Sequence, residues 1–154
     1  MTYPMIGNYG INDEDFESRR LFLDALIVRE YVDTISNWRA SKTLKDYLVQ
    51  NGVLGITDVD TRALTRYLRD QGAKRAIITT SQDSIESILK ETNLISGMAG
   101  TDLARFVSCE QNYTWKKPET EKYKIAVIDC GVKYSILEML KEGGCHCDVY
   151  TIRT

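Results

Sequence analysis

The run Tyr123-Lys124-Ile125-Ala126-Val127-Ile128-Asp129-Cys130, closed by Gly131, limits the fold of this chain more than any other stretch. A short apolar run bounded by a turn residue is what a buried strand of a parallel sheet shows. Beyond Gly131, Ile136, Leu137, Met139 and Leu140 fall at helical spacing, and Gly143-Gly144 ends the pattern. A second strand is expected over roughly 145–152. Together these make one β-α-β unit with parallel strands. Two strands and one helix cannot cover both faces of the sheet they imply. Residues from about 120 onward therefore read as the opening of a larger domain. The other end gives the same impression. Met1-Thr2-Tyr3-Pro4-Met5-Ile6-Gly7-Asn8-Tyr9-Gly10 has an X-Pro bond and two glycines but no polar lead-in, as if it came from inside a domain.

Composition narrows the class. A length of 154 residues fits about one domain, and 43% hydrophobic with 27% charged residues matches an ordered globular chain. The net charge of −2 and the lack of a basic block argue against a dedicated nucleic-acid binder. No stretch approaches the roughly 18 apolar residues of a membrane span, and no secretory leader is evident. Cys109, Cys130, Cys145 and Cys147 are expected to be thiols in a reducing compartment, so a cytoplasmic location is expected.

Between the ends, Lys116-Lys117-Pro118 and Glu119-Thr120-Glu121-Lys122 form a polar linker candidate. Ahead of it, residues 23–31 read as a strand. Residues 42–50 read as a helix with Ser41 as a possible cap, 76–80 as a strand, 84–91 as a helix turning Ile85, Ile88 and Leu89 inward, and 101–107 as a short helix. The richest segment is Asp58-Val59-Asp60-Thr61-Arg62-Ala63-Leu64-Thr65-Arg66-Tyr67-Leu68-Arg69-Asp70-Gln71-Gly72. On a helix, Ala63, Leu64, Tyr67 and Leu68 make an apolar stripe, while Arg62, Arg66 and Arg69 align on the other side at i, i+4, i+7. Asp60 can cap this helix and Gly72 can stop it.

Each candidate chemistry has a plain structural counterpart. The arginine stripe can grip phosphates, carboxylates or an acidic partner surface; equally, it can be a solvated face balanced by Asp58, Asp60 and Asp70. Cys130 lies at a strand-to-helix turn, where nucleophiles are found in open α/β sheets. The only histidine, His146, begins the following strand and falls near the opposite edge, which leaves Cys130 without a base. In Cys145-His146-Cys147 the two cysteines face one way and the histidine between them the other, so the triplet cannot readily close a tetrahedral metal site. Gly131 can bring a backbone N–H toward an anion, but neither a dinucleotide nor a P-loop fingerprint is present.

Four stretches carry a resemblance: Thr2–Asn8 with Asn12 and Asp13; Ser36-Asn37-Trp38-Arg39; Asp58–Arg66 with Leu68-Arg69 and Gly72-Ala73; and Asp129-Cys130-Gly131-Val132-Lys133 leading into Ile136-Leu137. In order and spacing they resemble the small, glutamine-hydrolysing subunit of carbamoyl-phosphate synthase. The resemblance implies an α/β protein of two domains. The first is a swivelling β/β/α layered N-terminal domain, here lacking its opening strands, over 1–118. After a linker at 119–122, the start of a flavodoxin-like doubly wound class I glutamine amidotransferase domain follows over 123–154.

It also implies a Cys–His–Glu triad on G-x-C-x-G-H-Q and H-P-E-like segments, neither of which occurs in these residues, so the chain is expected to be inactive alone as a glutaminase. In the intact enzyme, ammonia from L-glutamine passes to a large synthetase subunit. That subunit uses ATP, bicarbonate and magnesium to make carbamoyl phosphate for arginine and pyrimidine biosynthesis. No cofactor is expected on this chain. Asp58, Asp60, Thr61, Arg62, Arg66 and Arg69 stand as a structural motif or a partner interface, and Asp129, Gly131 and Lys133 as the first-turn motif of the amidotransferase domain. Three readings stay open: an incomplete piece of the amidotransferase subunit, a non-catalytic module docking on the large subunit, and a small stand-alone α/β binding protein.

Overall fold

A computed structural model describes residues 1–153. The chain is mixed α/β with small sheets, and it packs as two compact units.

The first unit comprises Met1–Asp15 and Leu23–Gly97. It contains strands β1 (Met5–Ile6), β2 (Ala25–Ile27), β3 (Glu30–Tyr31) and β4 (Leu54–Ile56), with helices α1 (Leu44–Gln50), α2 (Thr61–Gln71) and α3 (Ile85–Leu94). β1 pairs parallel with β3, and β2 pairs parallel with β4. The single strand expected over 23–31 is thus two, because the chain changes partner midway. The Val28 amide donates to the Ile56 carbonyl at 2.8 Å, and the Val32 amide then donates to Ile6 at 2.8 Å.

Helix α1 is capped by Thr43, whose hydroxyl accepts the Asp46 amide at 3.0 Å. Ser41, the expected cap, is held away by a 2.8 Å bond from its own amide to the Ile11 carbonyl. Residues 76–80 form no strand, since no described segment offers them a ladder; β-branched content favours a strand only where a neighbour exists to pair with. Ser84 caps α3, its hydroxyl accepting the Ser87 amide at 3.2 Å. That helix does not turn its apolar residues inward, however: Ile85 is 73% and Leu89 56% exposed, and only Ile88 is half-buried.

The second unit comprises Phe16–Phe22 and the described residues from Met98 on. It holds α4 (Ala104–Val107), β5 (Tyr113–Thr114), β6 (Tyr123–Asp129), α5 (Tyr134–Glu142) and β7 (Cys145–Thr151). The sheet order is β5-β7-β6. β7 runs parallel to β6 from Tyr123 opposite Cys145 to Asp129 opposite Thr151, and antiparallel to β5. The β-α-β unit forms as expected, with a third strand ahead of it. Leu137, Val149, Cys147 and Cys109 make the buried core, and Trp115, Tyr113, Tyr134, Ile125, Val127 and Leu140 pack on it. β6 is not buried on both faces. Ile125 and Val127 are half-buried, while Lys124, Ala126 and Ile128 are exposed, so α5 covers one side only. No helix among the described residues is long and apolar enough to cross a membrane.

Candidate functional site

The approach to α2 is fixed by a tight turn. Asp58 has φ 64°, a left-handed conformation that a short polar side chain tolerates better than most. Its amide donates to the Arg29 carbonyl at 2.9 Å, which anchors the turn beside β2. Asp60 then caps the helix as its sequence position predicts, its carboxylate accepting the Ala63 amide at 3.0 Å. Thr61 is buried, and its carbonyl accepts the Thr65 hydroxyl at 2.8 Å. At the far end Gly72 leaves the helix with φ 75°, where a side chain would be strained.

This scaffold projects Arg62, Arg66 and Arg69 to one side. With Thr2 and Thr65 they line an open cleft of about 560 Å³ that has no acidic side chain in its wall. Arg69 lies 3.2 Å from Asp70, with both groups well exposed. Arg62 and Arg66 form no ion pair with a described residue. The Asp60 carboxylate is taken by the cap, and neither Asp58 nor Asp60 forms an ion pair with the stripe. The cleft suits an anion, because guanidinium forks bind carboxylate or phosphate oxygens in pairs. On the remaining surface of α2, Leu64 is half-buried and Tyr67 and Leu68 are exposed.

The turn after β6 works differently. Asp129 is 4% exposed, and its carboxylate accepts three backbone amides: Cys109 at 2.7 Å, Gly131 at 2.8 Å and Val132 at 2.8 Å. Burial pushes this carboxyl upward, but the three N–H donors outweigh it and hold the group below the ordinary aspartate range. Gly131 has φ 101°, which favours glycine, and a Cβ there would crowd the Val107 side chain at 3.1 Å. Its amide serves Asp129 and is not offered to a ligand.

Lys133 precedes α5 without capping it by its side chain. The cap comes from Glu17, which accepts the Ser135 amide at 2.9 Å and stands 3.7 Å from the Lys133 ammonium. The Ser135 bond, more than the lysine, lowers the Glu17 carboxyl below its usual range. The sequence offered no local signal for Glu17, since its partner lies 118 positions away.

Cys130 is exposed at this same turn, following Asp129 at the carboxyl end of β6. His146 faces Lys124 at the other end of the ladder, about 20 Å away at 3.3 Å per residue. Its Nε2 lies 3.3 Å from Asp148, and its Nδ1 lies 3.2 Å from Glu121 without hydrogen-bond alignment. Cys147 is buried and Cys145 packs beside it, with His146 on the opposite face. No metal-binding group of side chains occurs among the described residues.

The two N-terminal motifs meet in one corner of the first unit. The Ser36 amide donates to Asn8 at 2.8 Å and the Asn37 side chain to Tyr9 at 3.2 Å. Arg39 bridges Glu14 at 3.1 Å and Asp15 at 3.0 Å, and the Tyr9 hydroxyl donates to Asp15 at 2.7 Å. That hydroxyl leads the contacts lowering the Asp15 carboxyl. Trp38, between the anchored residues, is 93% exposed.

Residues 1–78, which span this corner and α2, match the family described as "Carbamoyl-phosphate synthase small chain, CPSase domain". The chain belongs to the carbamoyl-phosphate synthase small-chain family. Its similarity to members of that family runs well past the matched segment. It is 40% identical to the carbamoyl phosphate synthase small chain of Syntrophotalea carbinolica, over 100% of this chain and 44% of the relative. The small chain of Neisseria meningitidis serogroup A gives the same 40% identity and the same coverage. The chloroplastic small chain of Oryza sativa subsp. japonica is 38% identical over 97% of this chain and 36% of its own length. The chain thus spans less than half the length of these curated small chains.

Proposed function

We propose that this chain serves glutamine-dependent carbamoyl phosphate synthesis as architecture and contact surface, not as the site of glutamine hydrolysis. The separation of Cys130 from His146 across the length of the β6–β7 ladder carries this reading, since a thiol without a base within hydrogen-bond reach is not activated. In this reading 1–118 correspond to the swivelling β/β/α N-terminal domain and 123–154 to the first β-α-β of a flavodoxin-like amidotransferase domain, joined by 119–122. L-glutamine is the substrate of the intact subunit, while ATP, bicarbonate and magnesium are handled by the large synthetase subunit. The setting is cytoplasmic. Asp129, Gly131 and Lys133 shape the first turn of the amidotransferase domain. The expected result of a glutaminase assay on this chain is no ammonia release above background; robust release abolished by Cys130→Ser overturns the proposal.

A second reading has its own support in the acid-free arginine cleft: the chain docks on the large subunit through the Asp58–Arg69 motif. Co-precipitation with the large subunit, lost on Arg62→Glu with Arg66→Glu, is the expected result. Absence of any binding by the unaltered chain defeats it.

A further inference from the structure

We propose that the α2 cleft is a phosphate-class oxyanion site, with Arg62 and Arg66 as its principal ligands and Arg69 and Thr2 completing it. This goes beyond the docking reading, because it assigns the cleft a small ligand that the chain binds without a partner. The first support is the wall itself. In a chain with 22 acidic and 20 basic side chains, a cleft lined by three arginines and two threonines, with no acid, is a local excess of positive charge. The second is the strain of that arrangement on the helix. Arg62 and Arg66 stand at i, i+4 and Arg66 and Arg69 at i, i+3, both like-charge spacings that disfavour the helix. Asp70, the acidic neighbour on the helix, is engaged with Arg69. A bound dianion relieves both repulsions at once.

Reach and donors favour one compact oxyanion at Arg62 and Arg66. These two residues sit one turn apart, about 6 Å along the axis, so two flexible guanidinium side chains can converge on a single group. Their planar forks offer paired N–H donors that match phosphoryl oxygens. The Thr65 hydroxyl hydrogen is taken by the Thr61 carbonyl, so Thr65 contributes wall, and Thr2 supplies the neutral donor. Arg69, a further turn along, is paired with Asp70. The two uncompensated charges are those of Arg62 and Arg66, and together they prefer a dianion to a single carboxylate.

The test is an NMR titration of the full chain with sodium phosphate at fixed ionic strength, following the amides of α2. Saturable shifts centred on Arg62–Arg66 are expected. Affinity should weaken about threefold for Arg62→Gln or Arg66→Gln and about tenfold for the pair, as suits exposed charge pairs. Lys122→Gln with Lys124→Gln, which removes the same charge elsewhere, should leave the titration unchanged, and circular dichroism checks that every variant is folded. Methyl phosphate binding at least as tightly as phosphate identifies a phosphorylated small molecule as the ligand, and weaker binding identifies free phosphate. Non-saturating shifts, equal loss in the lysine control, or glutarate binding as tightly as phosphate each overturn the proposal; the last returns the cleft to carboxylate docking. None of these readouts depends on glutaminase activity or on association with the large subunit.

Discussion

Helices α2 and α5 carry the same sequence credentials and end in opposite circumstances. Each shows an apolar stripe at helical spacing and stops at a glycine. On α5 the stripe is used: Leu137 is 0% exposed and sits in a core with Val149, Cys147 and Cys109. On α2 the apolar residues Tyr67 and Leu68 stay exposed, and the helix stands on a local cap and a buried threonine. Periodicity and caps report that a helix forms. They do not report whether anything lies against it, because covering is a property of the neighbours.

That contrast can be tested by variants whose effects should decline in order. Leu137→Ala removes a fully buried side chain and should cost the second unit about 3 kcal/mol in urea unfolding, followed by Trp115 fluorescence in a Trp38→Phe background. A loss under 1 kcal/mol would put α5 on the same footing as α2. Asp129→Ala leaves the buried Cys109 amide and the part-buried Gly131 and Val132 amides without their acceptor and should cost about 2 kcal/mol by the same readout.

The Asp129 carboxyl also predicts an acid dependence. Its folded pKa lies below its unfolded value, so its contribution is complete above about pH 5 and disappears as pH falls through the folded pKa. The second unit should weaken on acidification below that point, and Asp129→Asn should flatten the slope; an unchanged slope would remove Asp129 from the account. Glu17→Gln should lower the urea-unfolding midpoint by less than Asp129→Ala, because it replaces a part-buried charged cap with a neutral one that can still accept the Ser135 amide. Leu89→Ala on α3 should change stability by no more than about 0.5 kcal/mol, since that side chain is already in solvent. A larger loss would mean that α3 has a covering surface after all.

The parts legible in the sequence were those whose cause is local. Asp60 and Gly72 bound α2 where the residues say they should, and the β6–α5–β7 alternation gives parallel strands with Cys130 and His146 at opposite ends. The arginine alignment follows from spacing alone, whereas the presence of Thr2 in the same cleft does not. What escaped depends on distant partners. Residues 76–80 have strand-like residues but no ladder. β5 is too short to show a period, yet it pairs because β7 offers it an edge. Ser41 loses the cap to Thr43 because Ile11, thirty positions earlier, claims its amide.

The bond from Ser135 to Glu17 has a kinetic corollary. It closes a loop of 118 residues, and the acceptor is made long before the amide it must receive. Loops of that length form slowly and raise contact order, so α5 should gain its cap late in folding. During synthesis Arg19 can find the Val107 and Ser108 carbonyls first, while the Glu17 carboxylate must wait until Ser135 has emerged. A nascent chain halted just short of Ser135 would hold its early segment through Arg19, with the Glu17 carboxylate still in water.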